Sequence, residues 1–284
     1  MDWFSYDINR YTNRRMVAIP LVIFFLSLIV LGMTYASTGL PVKPGIDFIG
    51  GTSVTIATND SQQAIAAYFT GFPLEPITRD VTSHVYLLKF DNMSADQNQQ
   101  LLNKINARYP DASVDYIDST FGQTLQGQAV IALLFSFLGM AIVVFVAFRT
   151  FIPSIAVVTC AFIDMAGTAA GMNLLGIPLT LPTTAALLML IGYSVDSDIL
   201  LTMRVLKRQG RLEEKLAGAF RTGIIMTSTT LAAVLSLWVV SGLGQIETIN
   251  EMAAVLLVGL VLDIINTWIT NATLIKWYAE RKGS

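Results

Sequence analysis

Asp196 and Asp198 are the residues of this chain best placed to do chemistry. They lie in residues 188–206, LMLIGYSVDSDILLTMRVL, an apolar run of membrane-crossing length with Arg204 near its end. A charge at that depth is costly, so it has a partner or a task. Asp164 and Asp263 lie well inside two further apolar runs and reach broadly similar depth in an alternating topology. A carboxyl group in hydrocarbon is far better tolerated as a neutral acid than as an anion, which makes it a proton carrier in principle. The alternative stays open that each Asp only hydrogen-bonds a Ser or Thr on a neighbouring helix and holds helices together. Asp196 and Asp198 are about 200° apart around a helix, so they cannot both face the same neighbour. Asp198 lies nearer the basic end of the run, within reach of headgroup water. Asp196 is therefore the first choice for a coupling role. Arg221, which opens the next apolar run, is its candidate charge partner.

Other chemistry is poorly supplied. No G-x-x-x-x-G-K-[ST] phosphate loop is present. A single histidine, His84, falls in an alternating run that reads as a strand, and a single cysteine, Cys160, falls in an apolar run. One cysteine makes no internal disulfide or zinc cluster, and a hydrolytic triad lacks its base. The residues therefore point to no enzyme, no cofactor and no metal. The basic group at 204–221 is explained by the flanks of membrane helices more simply than by nucleic acid.

The positioning elements follow from composition. Of 284 residues, 54% are hydrophobic and 13% charged, against about 25% charged in soluble domains. Apolar runs at 17–35, 125–148, 151–172, 183–205, 222–240 and 251–268, the last continuing to 275, predict six membrane helices. The first run has a longer apolar core than the roughly 7–15 residues of a signal peptide and is read as an uncleaved span. Pro20 is placed in about its first turn. Residues 212–220 predict a short amphipathic helix ahead of the fifth span. Gly167 and Gly171 offer a close helix contact. The hydroxyls of Thr227, Ser228, Thr229 and Thr230 either satisfy their own backbone carbonyls or line a wet path.

The division is residues 1–16, 17–36 as the first transmembrane helix, 37–124 as an inserted domain, and 125–284 as a five-helix membrane unit. Residues 37–126 hold nine Asp or Glu and five Lys or Arg, the pattern of a water-facing domain. Residues 52–57 alternate and are β-branched, as a strand requires. Residues 60–69 read as a short helix capped by Asn59 or Asp60. Weak and strong strands follow at 77–81 and 85–90. Ser94 and Gln97 form a capping box for a helix whose apolar face is Leu101, Leu102, Ile105 and Tyr109. Residues 113–117 alternate again. The β-α-β-β-α-β order is that of a ferredoxin-like α+β domain. Arg10, Arg14 and Arg15, then Arg149, then the 204–221 group, then Lys276, Arg281 and Lys282 all fall on one side of six spans. The loops near 173–178 and 241–248 carry no Lys or Arg. The positive-inside rule then puts both termini in the cytoplasm and the inserted domain outside. Trp3, Trp268, Trp277 and Tyr278 fall near span ends or in the flanks, as interfacial anchors do.

Two motifs carry a family resemblance. Residues 44–51 read PGIDFIGG, with Asp47, Gly50 and Gly51, and residues 192–198 read GYSVDSD, with Gly192, Tyr193 and Ser194. With RTGIIMTSTT at 221–230, the chain resembles the SecF family, the smaller partner of SecD in protein export, and most of all its archaeal branch. The resemblance covers essentially the whole chain. It implies a multi-pass cell-membrane protein related to the resistance-nodulation-division transporters, with six spans and one inserted domain. It also implies a SecD-like six-span partner, association with a SecY-type channel and assistance to preproteins in transit. In bacterial members, membrane-embedded Asp and Arg residues couple this assistance to the proton motive force. The matching positions here are Asp196 and Arg221. One departure matters: bacterial members carry their key Asp at the place of Ser197, whereas this chain has Asp on both sides of it and Asp196 sits where SecD-type sequences have theirs. A partner is expected to approach over Gly167, Gly171 and Gly192. Two alternatives remain at this point: a free-standing transporter of lipids or small molecules, and a structural subunit without ion coupling.

Overall fold

A computed structural model describes residues 13–80, 85–244 and 246–282. His84, Arg10 and Trp3 lie outside the described residues. Helix α1 (Asn13–Thr38) leads to a one-turn helix α2 (Ile46–Ile49) and then to the inserted domain. That domain runs β1 (Gly51–Ala57), α3 (Gln62–Tyr68), β2 (Thr78–Asp80), β3 (Val85–Asp91), α4 (Ala95–Arg108) and β4 (Ser113–Ile117). The four strands form one antiparallel sheet in the order β2-β3-β1-β4.

Alternation builds this sheet. Val54 and Ile56 of β1 and Tyr86, Leu88 and Phe90 of β3 point to one face, as period-two side chains must. There they meet Ile65 and Phe69 and, from α4, Leu101 and Ile105. The intervening β3 residues, Lys89 among them, point to the other face. Ser94 and Gln97 form the expected capping box at the start of α4. The shorter helix is capped by Ser61, whose hydroxyl accepts from Ala64 N, rather than by Asn59 or Asp60. Asp60 is engaged elsewhere: it accepts from Arg108 and from the Tyr109 hydroxyl, both at 2.8 Å. Burial and that bond to Asp60 push Tyr109 up to about 12.

The membrane-length helices are α1, α5 (Ser119–Phe148), α6 (Phe151–Leu175), α7 (Leu181–Lys207), α8 (Leu212–Leu243) and a final run of α9 (Glu247–Ile265), a π turn (Asn266–Asn271) and α10 (Ala272–Lys282). Among the described residues six helices are thus long and apolar enough to span a bilayer, with an α+β domain between the first two. Helix α5 begins at Ser119, several residues before the expected boundary, because Asp118 caps it. Residues 212–220 are no separate helix: α8 runs through them without a break. Pro20 lies inside α1 rather than in its first turn, since that helix starts at Asn13.

Helices α6, α7 and α9 form the interior. Leu187 and Leu190 of α7 pack with Val255, Leu256 and Leu260 of α9 and Met172 of α6. Helices α1, α5 and α8 lie at the periphery. Their Phe25, Ile29, Leu134, Phe135, Val146 and Val240 are exposed, as suits contact with lipid tails or another membrane chain.

The PGIDFIGG segment joins the two parts. Gly45 N donates to Leu179 O at 2.8 Å, and Leu179 N donates to Lys43 O at 2.7 Å. Gly50 has φ 82°, and a Cβ there would come within 2.8 Å of the Ser119 backbone, so the turn into β1 requires glycine. A Cβ on Gly51 would meet Phe90 O at 2.5 Å.

Candidate functional site

Helix α7 starts on a reciprocal cap between Thr180 and Thr183, with Pro182 in its first turn. Its inward positions Ser194, Ser197, Asp198, Leu201 and Thr202 are all buried and follow the i, i+3, i+4, i+7, i+8 spacing of one face. Helix α6 turns Cys160, Asp164 and Thr168 inward at every fourth residue. Asp263 comes from the last turn of α9. Residue exposure is 0% for Asp198, 1% for Asp164 and 1% for Asp263.

The π turn brings the polar partners. In an α-helix, residues five apart point in different directions, whereas π geometry stacks them. Asn266 and Asn271 therefore face the same interior as their neighbour Thr267, and all three are buried. Asn266 Nδ2 donates to Asp164 Oδ1 at 3.1 Å and to Cys160 O at 2.8 Å, and Ser194 donates to Asp164 Oδ2 at 2.7 Å. Asn271 Nδ2 donates to Asp198 Oδ1 at 2.7 Å. The Thr267 hydroxyl lies 2.9 Å from Oδ1 of Asp198 and 3.1 Å from Oδ1 of Asp263.

That last contact constrains the protons. A hydroxyl has one hydrogen to give. Thr267 can donate to one of the two carboxyl groups, and the other contact is a hydrogen bond only when that carboxyl holds a proton and donates back. Oδ2 of Asp198, Oδ2 of Asp263, and Oδ1 of Asn266 and of Asn271 are buried without a donor among the described residues. No lysine or arginine among the described residues pairs with the three carboxyls. A buried site with more acceptors than donors is completed by protons, since an unpaired buried anion is strongly disfavoured.

The structure places the expected residues unevenly. Asp164, Asp198 and Asp263 converge through Ser194, Asn266, Thr267 and Asn271. Asp196 does not join them: it is exposed, because the 200° offset that turns Asp198 inward turns Asp196 outward. Asp198, expected nearer headgroup water, is the fully buried one. Arg221 is exposed as well, and it forms no ion pair with Asp196 among the described residues. The arginine that ties α7 to α8 is Arg204, which donates to Gly218 O and, at 2.8 Å, to the Thr222 hydroxyl. Of the hydroxyl run, Thr229 and Thr230 donate to the Met226 carbonyl. Thr227 differs, lying buried with its hydroxyl 3.5 Å from that of Ser197.

Gly167 and Gly171 are internal contacts, with a Cβ on each meeting Leu262 at 2.8 Å and Val258 at 2.7 Å. They seat α9 and are closed to a partner. Gly192 has open space beside it. Tyr193 packs, half-buried, on the α6–α7–α9 interior. Asp47 is the polar link from PGIDFIGG to α7: its Oδ2 accepts from Leu181 N at 2.8 Å.

Sequence reasoning passed over Asn266, Thr267 and Asn271. Their signal was nevertheless present, as NTWITN interrupts an otherwise apolar span. The seat of the π turn also depends on Gly223 of α8, where a Cβ would overlap the Trp268 ring. Gly223→Val should lower the thermal midpoint of the protein in lipid, with an overpacking cost of about 1–3 kcal/mol. Tryptophan fluorescence followed through thermal unfolding measures it.

Residues 97–281 match the family model described as protein export membrane protein SecD/SecF, C-terminal. The chain is 56% identical over 283 residues to the protein-export membrane protein SecF of Methanolacinia petrolearia, covering 100% of both chains. It is 43% identical to the SecF of Haloferax volcanii, covering 96% of this chain and 94% of that one. Among solved structures it resembles SecDF of Thermus thermophilus, described as a translocon-associated membrane protein, with a TM-score of 0.70 and 22% identity. That likeness covers 97% of this chain and 40% of the SecDF chain, so this chain spans well under half of that protein. With that family model matched over residues 97–281 and an archaeal SecF 56% identical over the full length of both chains, this chain belongs to the SecF family of protein-export membrane proteins.

Proposed function

We propose that this chain assists preprotein export together with a SecD-like six-span partner beside a SecY-type channel, and that proton binding at Asp164, Asp198 and Asp263 drives its part of the cycle. It is an accessory subunit of the Sec translocase, a transport component and not an enzyme. The observation that carries the proton reading is the Thr267 hydroxyl held between Asp198 and Asp263 inside the helices. Two carboxyls bridged by one hydroxyl form a site whose hydrogen bonds rearrange when a proton is gained or lost. Ser197, lying between Asp196 and Asp198, is buried and reaches Thr227, so the place where the resemblance puts the bacterial acid faces the same interior as Asp198. Asp196→Asn should therefore reduce export less than Asp198→Asn does, as measured in an export assay with membrane abundance checked in parallel. A greater loss in Asp196→Asn than in Asp198→Asn would assign the coupling to Asp196 instead.

The partner face is assigned to α7. Ala185, Met189, Gly192 and Asp196 are exposed along one stripe of that helix, at the i, i+4, i+7, i+11 spacing of a single face. Small residues let another helix approach closely, and a neighbouring chain would supply polar contacts for Asp196. Gly192→Trp fills open space within this chain, so it should leave the protein folded while cutting co-purification of the SecD-like partner. Unchanged co-purification would move the interface elsewhere.

The inserted domain is read as ferredoxin-like from its element order, and residues 37–124 as facing out, with residues 1–16 and the end of the 125–284 unit in the cytoplasm. The four basic clusters support this orientation. In a protein with Cys160 replaced, Gln209→Cys should react with a thiol reagent only after the membrane is opened, and Gln100→Cys should react in intact cells. The reverse pattern would invert the topology.

A further inference from the structure

The inserted domain is not merely threaded onto the membrane helices. Among the described residues, and apart from the local caps where the chain leaves α1 and enters α5, each side-chain hydrogen bond from residues 39–118 to those helices ends on α6, α7 or α9. On α6, Asn173 Nδ2 donates to Pro41 O at 2.8 Å, and Lys43 N donates to Asn173 Oδ1 at 3.2 Å. On α7, Leu181 N donates to Asp47 Oδ2 at 2.8 Å. On α9, Lys89 Nζ donates to Glu247 Oε1 at 2.9 Å. These are the three helices that carry Asp164, Asp198 and Asp263.

The tethers sit at the ends of stiff rods. At 1.5 Å per residue, Asn173 is about 13 Å along its helix from Asp164. Leu181 is about 25 Å from Asp198, and Glu247 about 24 Å from Asp263. At the far end Thr267 and Asn266 tie the same three helices together through their carboxyls. The result is a closed frame, pinned once at the inserted domain and once at the acid cluster.

Lys89 holds its place by charge. It projects from the β3 face opposite α3 and α4, and its side chain is mostly buried against Glu247. Burial alone would lower the Lys89 ammonium, but the bond and charge of Glu247, with Glu251 and Glu75 behind it, outweigh that and raise it. Glu75 is itself pushed up by burial and by Asp91.

We infer that Asp47, Asn173 and the Lys89–Glu247 pair are positioning residues that link the placement of the inserted domain to the geometry of the acid cluster, an inference that rests on the proton-carrying reading of that cluster. Coupling between two sites is reciprocal. A change of proton occupancy that alters the Asp198–Thr267–Asp263 contacts moves the ends of α7 and α9, and the tethers pass that movement to the inserted domain. A load on the inserted domain reaches the carboxyls by the same route.

The test is a distance measurement on the full chain in lipid, with Cys160→Ala and spin labels on Gln100→Cys and Leu243→Cys. Asp198→Asn with Asp263→Asn stands for the uncharged cluster and should shift the label-to-label distance by a few ångströms. Asp47→Ala with Lys89→Met should abolish the shift. Lys89→Arg should retain it, and the exchange Lys89→Glu with Glu247→Lys should restore it relative to Lys89→Glu alone. A merely structural role for the tethers would not move this response. A shift that persists with the tethers broken would overturn the inference and leave the proton reading standing. No shift with the tethers intact would likewise overturn the inference, and the proton reading would then stand or fall on the export assays alone.

Discussion

Asp198→Asn should leave the protein folded, inserted and bound to its partner while its stimulation of export falls to the level of membranes lacking the chain. The amide is nearly isosteric with the carboxyl, and its oxygen can still accept from Thr267 and Asn271, which now meet at Asp198 Oδ1. What the amide cannot do is hold a charge or exchange a proton. Asp263→Asn should act in the same direction, because it sits on the other side of the same hydroxyl. An export assay with each variant, and with partner co-purification checked alongside, measures both. Loss of export that tracks loss of protein would instead show that these carboxyls only pack the helices.

Phe90→Ala should produce the largest loss of stability, about 3–5 kcal/mol, the usual cost of emptying a fully buried phenylalanine site. Phe90 is fully buried and meets Phe69 at 5.4 Å and Phe72 at 6.5 Å between ring centroids, both edge-on. Its backbone oxygen also lies against Gly51, so the strand cannot collapse freely into the cavity. Hydrogen exchange in the full chain should show the amides of β1, β3 and α4 losing protection together, with the membrane helices keeping theirs. Retained protection in β1 and β3 would contradict the role assigned to this cluster.

Much of the fold is legible in the sequence because single elements carry strong periodic signals. The alternation in β1 and β3 and the Ser94–Gln97 cap of α4 are local properties. Membrane spans are read from length and apolarity alone. The acid cluster was only half legible. Asp164, Asp198 and Asp263 could be named as intramembrane acids, and the 200° offset required that Asp196 and Asp198 point apart. Nothing in a single helix says which of the two points inward; packing decides that, through Leu187, Leu190 and Leu201 on the Asp198 side. The polar residues NTWITN stand out in their span, but the π geometry that turns Asn266 and Asn271 to one side is not legible, because a one-residue change of register has no sequence pattern of its own. Gly167 and Gly171 illustrate the same limit, since a small-residue pair marks a close contact without saying whether the neighbour belongs to the same chain.

The most direct measurement compares export into membrane vesicles with and without a proton-conducting ionophore, for the unmodified protein and for Asp198→Asn. A proton-carrying cluster predicts that the ionophore lowers the unmodified protein's stimulation to the Asp198→Asn level and leaves that variant unaffected. Stimulation that survives the ionophore in the unmodified protein, or that stays ionophore-sensitive in Asp198→Asn, would contradict it.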